Sequence, residues 1–549
     1  MPHSRCLIHT PLIICLGHLL AAGAMACTNL IVTKGASADG SVIITYTCDG
    51  EFHPRLRSYP AADHGPDEYI EYRDGAGQLR GRVKQVPHTY AVVGLMNEHQ
   101  LVIAETTFDG RPELENPDGL LNYWELMHLA LQRARTAREA IRVITDLVAQ
   151  HGYRSTGESI SIADPQEAWI LEIIGTGRGG QGAVWVAVRV PDGYIAAHAN
   201  KARIGTFPLD DPENCLYSEN VIKFAVERGY YDPADGQPFR FDEAYCPSDP
   251  KNLRYGATRV WSLFRRAAPS LNLAPDYHRG VPGAEPYPLW VKPDKKLTLA
   301  DVFALMRDHY EGTDFDMTRG LDAGPHGTPN RWRPITWKLD DTEYAWERPI
   351  STQQTGFSFV GQVRHTLPDP IGGVLWYGVD DTYFTCYVPL YCCIDALPPA
   401  YTTGSLNEFS WDSAWWVFNF VANYANLRYA DMRADIQAVQ RELEGHLLAL
   451  QPAVEKTALE LQQSDPALMR RYLTDYCLMH AEQVVRRWRA LGEHLIRKYN
   501  DGYIQERPGE PQERGYPQEW LRRVVEDRPT QFRLPSVRPE KKADPSPDE

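Results

Sequence analysis

A chain of 549 residues with 43% hydrophobic and 23% charged residues, 14 Trp and 29 Tyr is long enough for two or three domains and too aromatic to be disordered over its main body. Its formal charge of -15, with no basic cluster to offset it, argues against nucleic acid and anionic membranes as partners.

The first element in chain order is a short start carrying Arg5, followed by an apolar run over 12–22. That run fits the core of a secretion signal and falls short of the about twenty apolar residues that a membrane span needs. Ala24 and Ala26 form the A-x-A pattern of a signal peptidase site, so cleavage after Ala26 is expected. The mature chain would then start at Cys27 and be secreted or periplasmic. Such a residue carries a nucleophilic thiol and, on the same residue, a free α-amino group with a pKa of about 7.7–8.0 that can take the thiol proton. A lipoprotein anchor would want a Leu-type residue three places before the cysteine, where Ala24 stands, and lipidation is the lesser reading. A third reading makes Cys27 an ordinary buried or disulfide-bonded residue.

Beyond Cys27 the mature chain has Cys48, Cys215, Cys246, Cys386, Cys392, Cys393 and Cys477. Export permits disulfides, but this odd number leaves at least one thiol free if pairing stays within the chain. There is no C-x-x-C pair and no H-E-x-x-H, so neither a metal nor an organic cofactor is expected.

Strands are expected over 30–32 and 42–46, joined by the Asp39-Gly40 turn, then over 90–95 and 101–107. Helices are predicted over 122–133 and 136–151; in the second, Ala140, Ile144, Leu147 and Val148 line one face. More strands follow over 159–163, 168–174, 183–190 and 194–198. Between two of them Gly175-Thr176-Gly177-Arg178-Gly179-Gly180 spells G-x-G-x-x-G, but a strand pattern follows where a dinucleotide site needs a helix, so a hairpin loop is predicted. Helices are expected over 215–227 and 257–266 and from Thr298 towards His309. Strands return over 373–378 and 385–389, then long helices over 412–429, 432–450 and 466–498. From about Pro508 a Pro-rich, mixed-charge stretch reads as an extended or disordered tail.

Several short runs together carry a family resemblance. They are Cys27-Thr28-Asn29-Leu30-Ile31-Val32, Ala36-Ser37-Ala38-Asp39-Gly40-Ser41, Asn97-Glu98, Ala199-Asn200-Lys201-Ala202-Arg203-Ile204-Gly205 and Ser410-Trp411-Asp412-Ser413-Ala414-Trp415-Trp416. Their order behind a cysteine at a cleavage site resembles the C69 family of cysteine dipeptidases, within the N-terminal-nucleophile (Ntn) hydrolases. The resemblance implies an α+β fold, a four-layer αββα sandwich, here with added C-terminal helices. The expected division is a signal over 1–26, a catalytic domain over 27–405, a helical region over 406–507 and a tail over 508–549.

It also implies roles by position. Cys27 would be the nucleophile, Asp49 the acid that orients its α-amino group, Asn200 the oxyanion donor and Arg259 an orienting charge. The related bile-salt and penicillin V acylases place an arginine three residues before their equivalent of Asp49; here Tyr46 stands there. They also carry an asparagine where this chain has Thr106 and Thr107, so a hydroxyl or a backbone N–H is expected to replace it. His198 and His365 are read as structural. The reading is an exported cysteine dipeptidase acting on a small peptide, with no nucleic-acid partner and no membrane span in the mature chain; whether it forms a homo-oligomer is left open. An amide acylase and a non-enzymatic exported binding protein are the alternatives, separable by a panel of dipeptides against acyl-amides and by ligand binding without turnover.

Overall fold

The structure, a computed structural model, describes residues 27–535. The expected signal over 1–26 and the end of the tail, from 536 on, lie outside the described residues.

The chain starts as the Asn29–Val32 strand, turns at Asp39-Gly40 and returns as Val42–Asp49, pairing Ile31 with Ile44 and Val32 with Ile43. The turn is built by its own residues. Gly40 takes φ 75°, a left-handed conformation a side chain would strain, and Asp39 Oδ1 accepts from the Ser41 amide at 3.1 Å and the Ser41 hydroxyl at 2.6 Å. These two strands lie inside a seven-stranded antiparallel sheet ordered Trp290–Val291, Ile195–His198, Asn29–Val32, Val42–Asp49, Thr355–Val363, Val374–Val379 and Val388–Tyr391. The Thr355–Val363 strand, central to this sheet, is absent from the sequence reading. Its Gly356 and Gly361 and its polar Thr355, Ser358 and Gln362 dilute the apolar signal, although the strand is almost wholly buried.

The second sheet has eight antiparallel strands, among them Val102–Phe108, Gly157–Ala163, Ala168–Gly175 and Ala183–Arg189 as consecutive neighbours. Residues 176–182 join the last two as a hairpin loop, as predicted for the glycine-rich stretch. The Gly157–Ala163 and Ala168–Gly175 strands are buried along their whole length, which requires cover on both faces. One cover is the helix pair Tyr123–Arg133 and Ala137–His151, capped by Asn122 and Thr136. The other is the first sheet, met through Val42–Asp49 and Asn29–Val32.

Helices Ala414–Ala425, Tyr429–Ser464 and Pro466–Lys498 pack against the Val374–Val379 and Val388–Tyr391 edge of the first sheet. The middle one runs through Pro452, where the sequence reading stops it at 450. Tertiary anchors on the same turn override the missing N–H: Gln451 Nε2 donates to Gln362 Oε1 and Glu455 Oε1, both at 2.9 Å, and Glu455 pairs with Arg364. Two further differences are local. Cys215–Tyr217 is a strand closing the edge of the second sheet, with the helix confined to Val221–Glu227. Within the tail, Gln518–Asp527 is a helix with no buried residue. The cysteines from Cys27 to Cys477 are all buried thiols, with no disulfide among the described residues.

Candidate active site

Cys27 stands just ahead of the Asn29–Val32 strand, fully buried, at the junction of the two sheets. Backbone bonds clamp the next residue onto Val42–Asp49. The Thr28 amide donates to Thr47 Oγ1 at 3.1 Å, the Thr47 amide donates to Thr28 O at 3.1 Å, and Thr47 Oγ1 donates onward to Asp49 Oδ2 at 3.1 Å. Asp49, at the strand's end, is thus two hydrogen bonds from the residue that follows the cysteine. Its carboxylate also accepts from Thr355 Oγ1 at 2.6 Å and from Arg348 Nη2 at 2.5 Å.

Asn200 follows the Ile195–His198 strand in a left-handed turn, φ 52°, a conformation Asn tolerates better than most residues. The turn sends its side chain back to the site, where Nδ2 donates to Thr107 O at 2.5 Å and Oδ1 accepts from Arg259 Nη2 at 2.7 Å. Arg259 lies on the Thr258–Ala267 helix, entered through a π-type turn over Leu253–Ala257. Gly256 makes that entry fit: a Cβ there would stand 2.4 Å from Ala199 O. From this position the fully buried guanidinium also donates to Cys27 O at 2.6 Å and Thr28 Oγ1 at 2.8 Å. Burial, then the nearby Arg348, lowers its pKa to about 9. The structure therefore brings Cys27, Asn200 and Arg259 into one hydrogen-bonded unit, with Asp49 reaching it through Thr47.

Of the two expected stand-ins for the second asparagine, the threonine hydroxyls are engaged elsewhere. Thr107 Oγ1 is committed to Glu158 Oε1 at 2.9 Å, and Thr106 Oγ1, on the other face of its strand, meets His198 Nδ1 at 2.7 Å. With Ser161 Oγ 2.7 Å from its Nε2, His198 is enclosed by hydroxyls, and burial pushes its pKa down to about 3; it ties the two sheets together and takes no proton near neutral pH. Two of the recognition runs serve the fold as well. Asn97 Nδ2 holds Leu131 O and Ala134 O, both at 2.8 Å, and Ser413 caps the Ala414–Ala425 helix.

Three groups at the site escape the sequence reading. Glu105 Oε1 lies 3.5 Å from Cys27 Sγ and accepts a short hydrogen bond from Tyr46 OH, which is itself 3.8 Å from the sulfur. Glu158, opposite Thr107 on the neighbouring strand, is the diagonal neighbour of Glu105 on the same face of the sheet. Arg348 supplies the cation for Asp49 from a distant loop. A signal for the two glutamates exists in V-I-A-E-T-T-F and G-E-S-I-S-I-A, where a charge interrupts a run that is otherwise core; nothing local announces Arg348. The Cys27 thiol is pushed well above its ordinary pKa, by burial first, then by Cys48 and the charge of Glu105. Among the described residues no group of three His, Cys, Asp or Glu is placed to hold a metal ion.

The model of peptidase family C69 matches residues 26–442, starting beside Cys27. The chain belongs to peptidase family C69. Similar proteins include a probable dipeptidase of Salmonella dublin, 28% identical over 395 residues that cover 68% of this chain and 82% of that protein. A probable dipeptidase of Latilactobacillus sakei is 25% identical over 79% of this chain and 89% of its own. A probable dipeptidase A of Streptococcus pyogenes serotype M3 (strain SSI-1) is 25% identical over 82% and 94%. The C69 match bears out the resemblance read from the sequence and sets aside a non-enzymatic binding protein.

Proposed function

We propose that the protein is an exported cysteine dipeptidase of the Ntn type, hydrolysing small peptides through a thioester on Cys27. The observation that carries this is the arrangement around the cysteine. One guanidinium, Arg259, fixes both the Cys27 carbonyl and the Asn200 side chain, so nucleophile and amide donor are held in register. The dipeptidase names of the C69 relatives support the substrate class. Two facing antiparallel sheets with helices packed on each support the αββα sandwich, and no helix among the described residues is long and apolar enough to cross a membrane.

In this scheme the α-amino group of a terminal Cys27 takes the thiol proton as the sulfur attacks the scissile carbonyl. A base on the same residue is needed because burial keeps the thiol protonated near neutral pH. The carbonyl electron pair moves onto oxygen, where an N–H of Asn200 and a backbone N–H receive it, each donor worth about 2.7–4 kcal/mol. The ammonium returns its proton to the departing nitrogen as the C–N bond breaks. Water, deprotonated by the same amine, then opens the thioester and regenerates the thiol. No step draws on a metal or a cofactor.

Processing tests the scheme, since the nitrogen of Cys27 is a non-basic amide while Ala26 is attached. Protein beginning at Cys27 is expected to hydrolyse dipeptides in preference to acyl-amides and to be inactivated by iodoacetamide. Protein retaining Met25-Ala26, and Cys27→Ala beginning at the same residue, are expected to be inactive while folded by circular dichroism. N-terminal sequencing of exported protein should read Cys27. A fully active chain that starts elsewhere, or one carrying lipid on Cys27, would defeat the proposal.

A further inference from the structure

Several buried carboxylates are matched by cations, and others that have none, Glu172, Asp380 and Asp381, accept from amides or hydroxyls. Asp49 has Arg348, Asp308 has Arg265 and Arg266, Glu444 has Arg307, and Glu455 has Arg364. Glu105 and Glu158 are both fully buried, yet neither forms an ion pair among the described residues. Their Oε1 atoms are met by Tyr46, Cys27 and Thr107, while Glu105 Oε2 and Glu158 Oε2 receive no N–H or hydroxyl donor. Cys27, Tyr46, Tyr123 and Tyr153 face the pair from the surrounding elements, and none of them carries a positive charge. Burial raises the pKa of both carboxyls, and the charge of Glu105 raises that of Glu158 further, so the first negative charge the pair takes falls on Glu105. Burying that charge without a counter-ion costs several kcal/mol, and it sits 3.5 Å from the attacking sulfur.

Resting on the reading of Cys27 as nucleophile, we propose that Glu105, braced by Tyr46 and paired with Glu158, anchors the free α-ammonium group of the substrate and restricts the enzyme to peptides with an unblocked N-terminus. The distances fit. With sulfur and carbonyl carbon about 3–3.5 Å apart at attack, the α-nitrogen, two bonds from that carbon, comes within hydrogen-bonding reach of an oxygen lying beside the sulfur. An ammonium offers three donors, and Glu105 Oε2 and Glu158 Oε2 are buried carboxyl oxygens that no N–H or hydroxyl meets. Whatever exposes Cys27 to substrate exposes Glu105 with it, because the two side chains are in contact. A positive charge beside the sulfur also offsets the repulsion that Glu105 exerts on a forming thiolate. Substrate binding would thus ready the nucleophile.

The test uses protein beginning at Cys27 with alanyl-alanine and N-acetyl-alanyl-alanine. Wild type is expected to favour the free amine by about 100-fold or more in kcat/KM, as befits a site with buried polar groups that the blocked substrate leaves unpaired. Glu105→Gln should raise KM for alanyl-alanine about 10- to 100-fold with a smaller change in kcat. Glu105→Asp, which keeps the charge, should recover part of that loss, and Cys27 of both variants should still react with iodoacetamide. Equal cleavage of the two substrates by wild type would overturn the proposal and leave the nucleophile reading intact. So would a Glu105→Gln enzyme that loses turnover on both substrates at unchanged KM. A Cys27→Ala enzyme that still turns over would instead remove the nucleophile reading itself.

Discussion

Replacing Arg259 by lysine separates charge from geometry at the point on which the proposed mechanism leans most. The guanidinium spans four acceptors, Cys27 O, Thr28 Oγ1, Asn200 Oδ1 and Tyr255 O, at 2.6–2.9 Å. A lysine ammonium is a point donor on a flexible stem, reaching one or two of them and leaving at least two charge-assisted bonds unmade. At roughly 1.5–3 kcal/mol each, the change removes about 3–6 kcal/mol of interaction, shared between stability and alignment. The alignment part falls on Asn200, whose Oδ1 no longer fixes the direction of its N–H groups. Losing one oxyanion donor lowers kcat by about 10²–10³ with little change in KM, because the bond strengthens only as charge develops on the carbonyl oxygen. Steady-state kinetics on a dipeptide, with urea denaturation to confirm the fold, measures both parts. Asn200→Ala should show the same kcat loss, and the double variant should be little worse than either alone. An Arg259→Lys enzyme with unchanged kcat, or losses that add in the double variant, would show that Arg259 does not act through Asn200.

Arg348→Met should destabilise the protein by roughly 3–5 kcal/mol, because it strands the buried Asp49 carboxylate without its cation; a urea midpoint within error of wild type would deny Arg348 that role. Stability should also fall between pH 5 and pH 8 through Glu172, which accepts from the Arg203 and Ile204 amides and Ser159 Oγ but is pushed by burial from 4.5 up to about 7. The folded form holds this proton to higher pH than the unfolded chain, so the contribution is complete below about pH 4.5 and lost as pH rises through 7, a change of about 3 kcal/mol. Urea denaturation at the two pH values should show it, and Glu172→Gln should flatten it; an unaltered pH dependence in that variant would assign the effect elsewhere.

What could be read from the sequence was local. The Asp39-Gly40 turn, the helix start at Thr298 and the helical face of Ala140, Ile144, Leu147 and Val148 are decided within a few residues of themselves, and they stand where expected. Cys27 and Asn200 stand in short runs that the sequence marks, and the fold joins both to Arg259. The failures are long-range. The Thr355–Val363 strand is set by the two strands it pairs with, not by its own pattern. The turn at Pro452 is held by Gln362 and Arg364 of the sheet, which no propensity near residue 452 contains. The hydroxyls of Thr106 and Thr107 turn to His198 and Glu158, partners 92 and 51 residues away, which leaves the backbone N–H of the two expected donors.

Tyr46 shows how a departure from a related pattern can be informative. The resemblance drawn in sequence to the bile-salt and penicillin V acylases puts an arginine at this place, three residues before the acid at Asp49. Here that acid takes its cation from Arg348, 299 residues away in sequence, and the vacated place holds a phenol that donates to Glu105. An arginine at 46 would put a permanent positive charge where the Tyr46 hydroxyl now meets Glu105, neutralising the carboxylate from within the protein. A tyrosine satisfies one lone pair of Glu105, packs its ring against Phe357 and Phe359 and adds no charge. The negative charge beside Cys27 then stays available for a cation brought from outside. An acyl-amide substrate brings none at that position, whereas a dipeptide carries an ammonium two bonds from its scissile carbonyl. On the proposed reading, a tyrosine in place of a cation at 46 therefore suits the site to peptides with a free N-terminus.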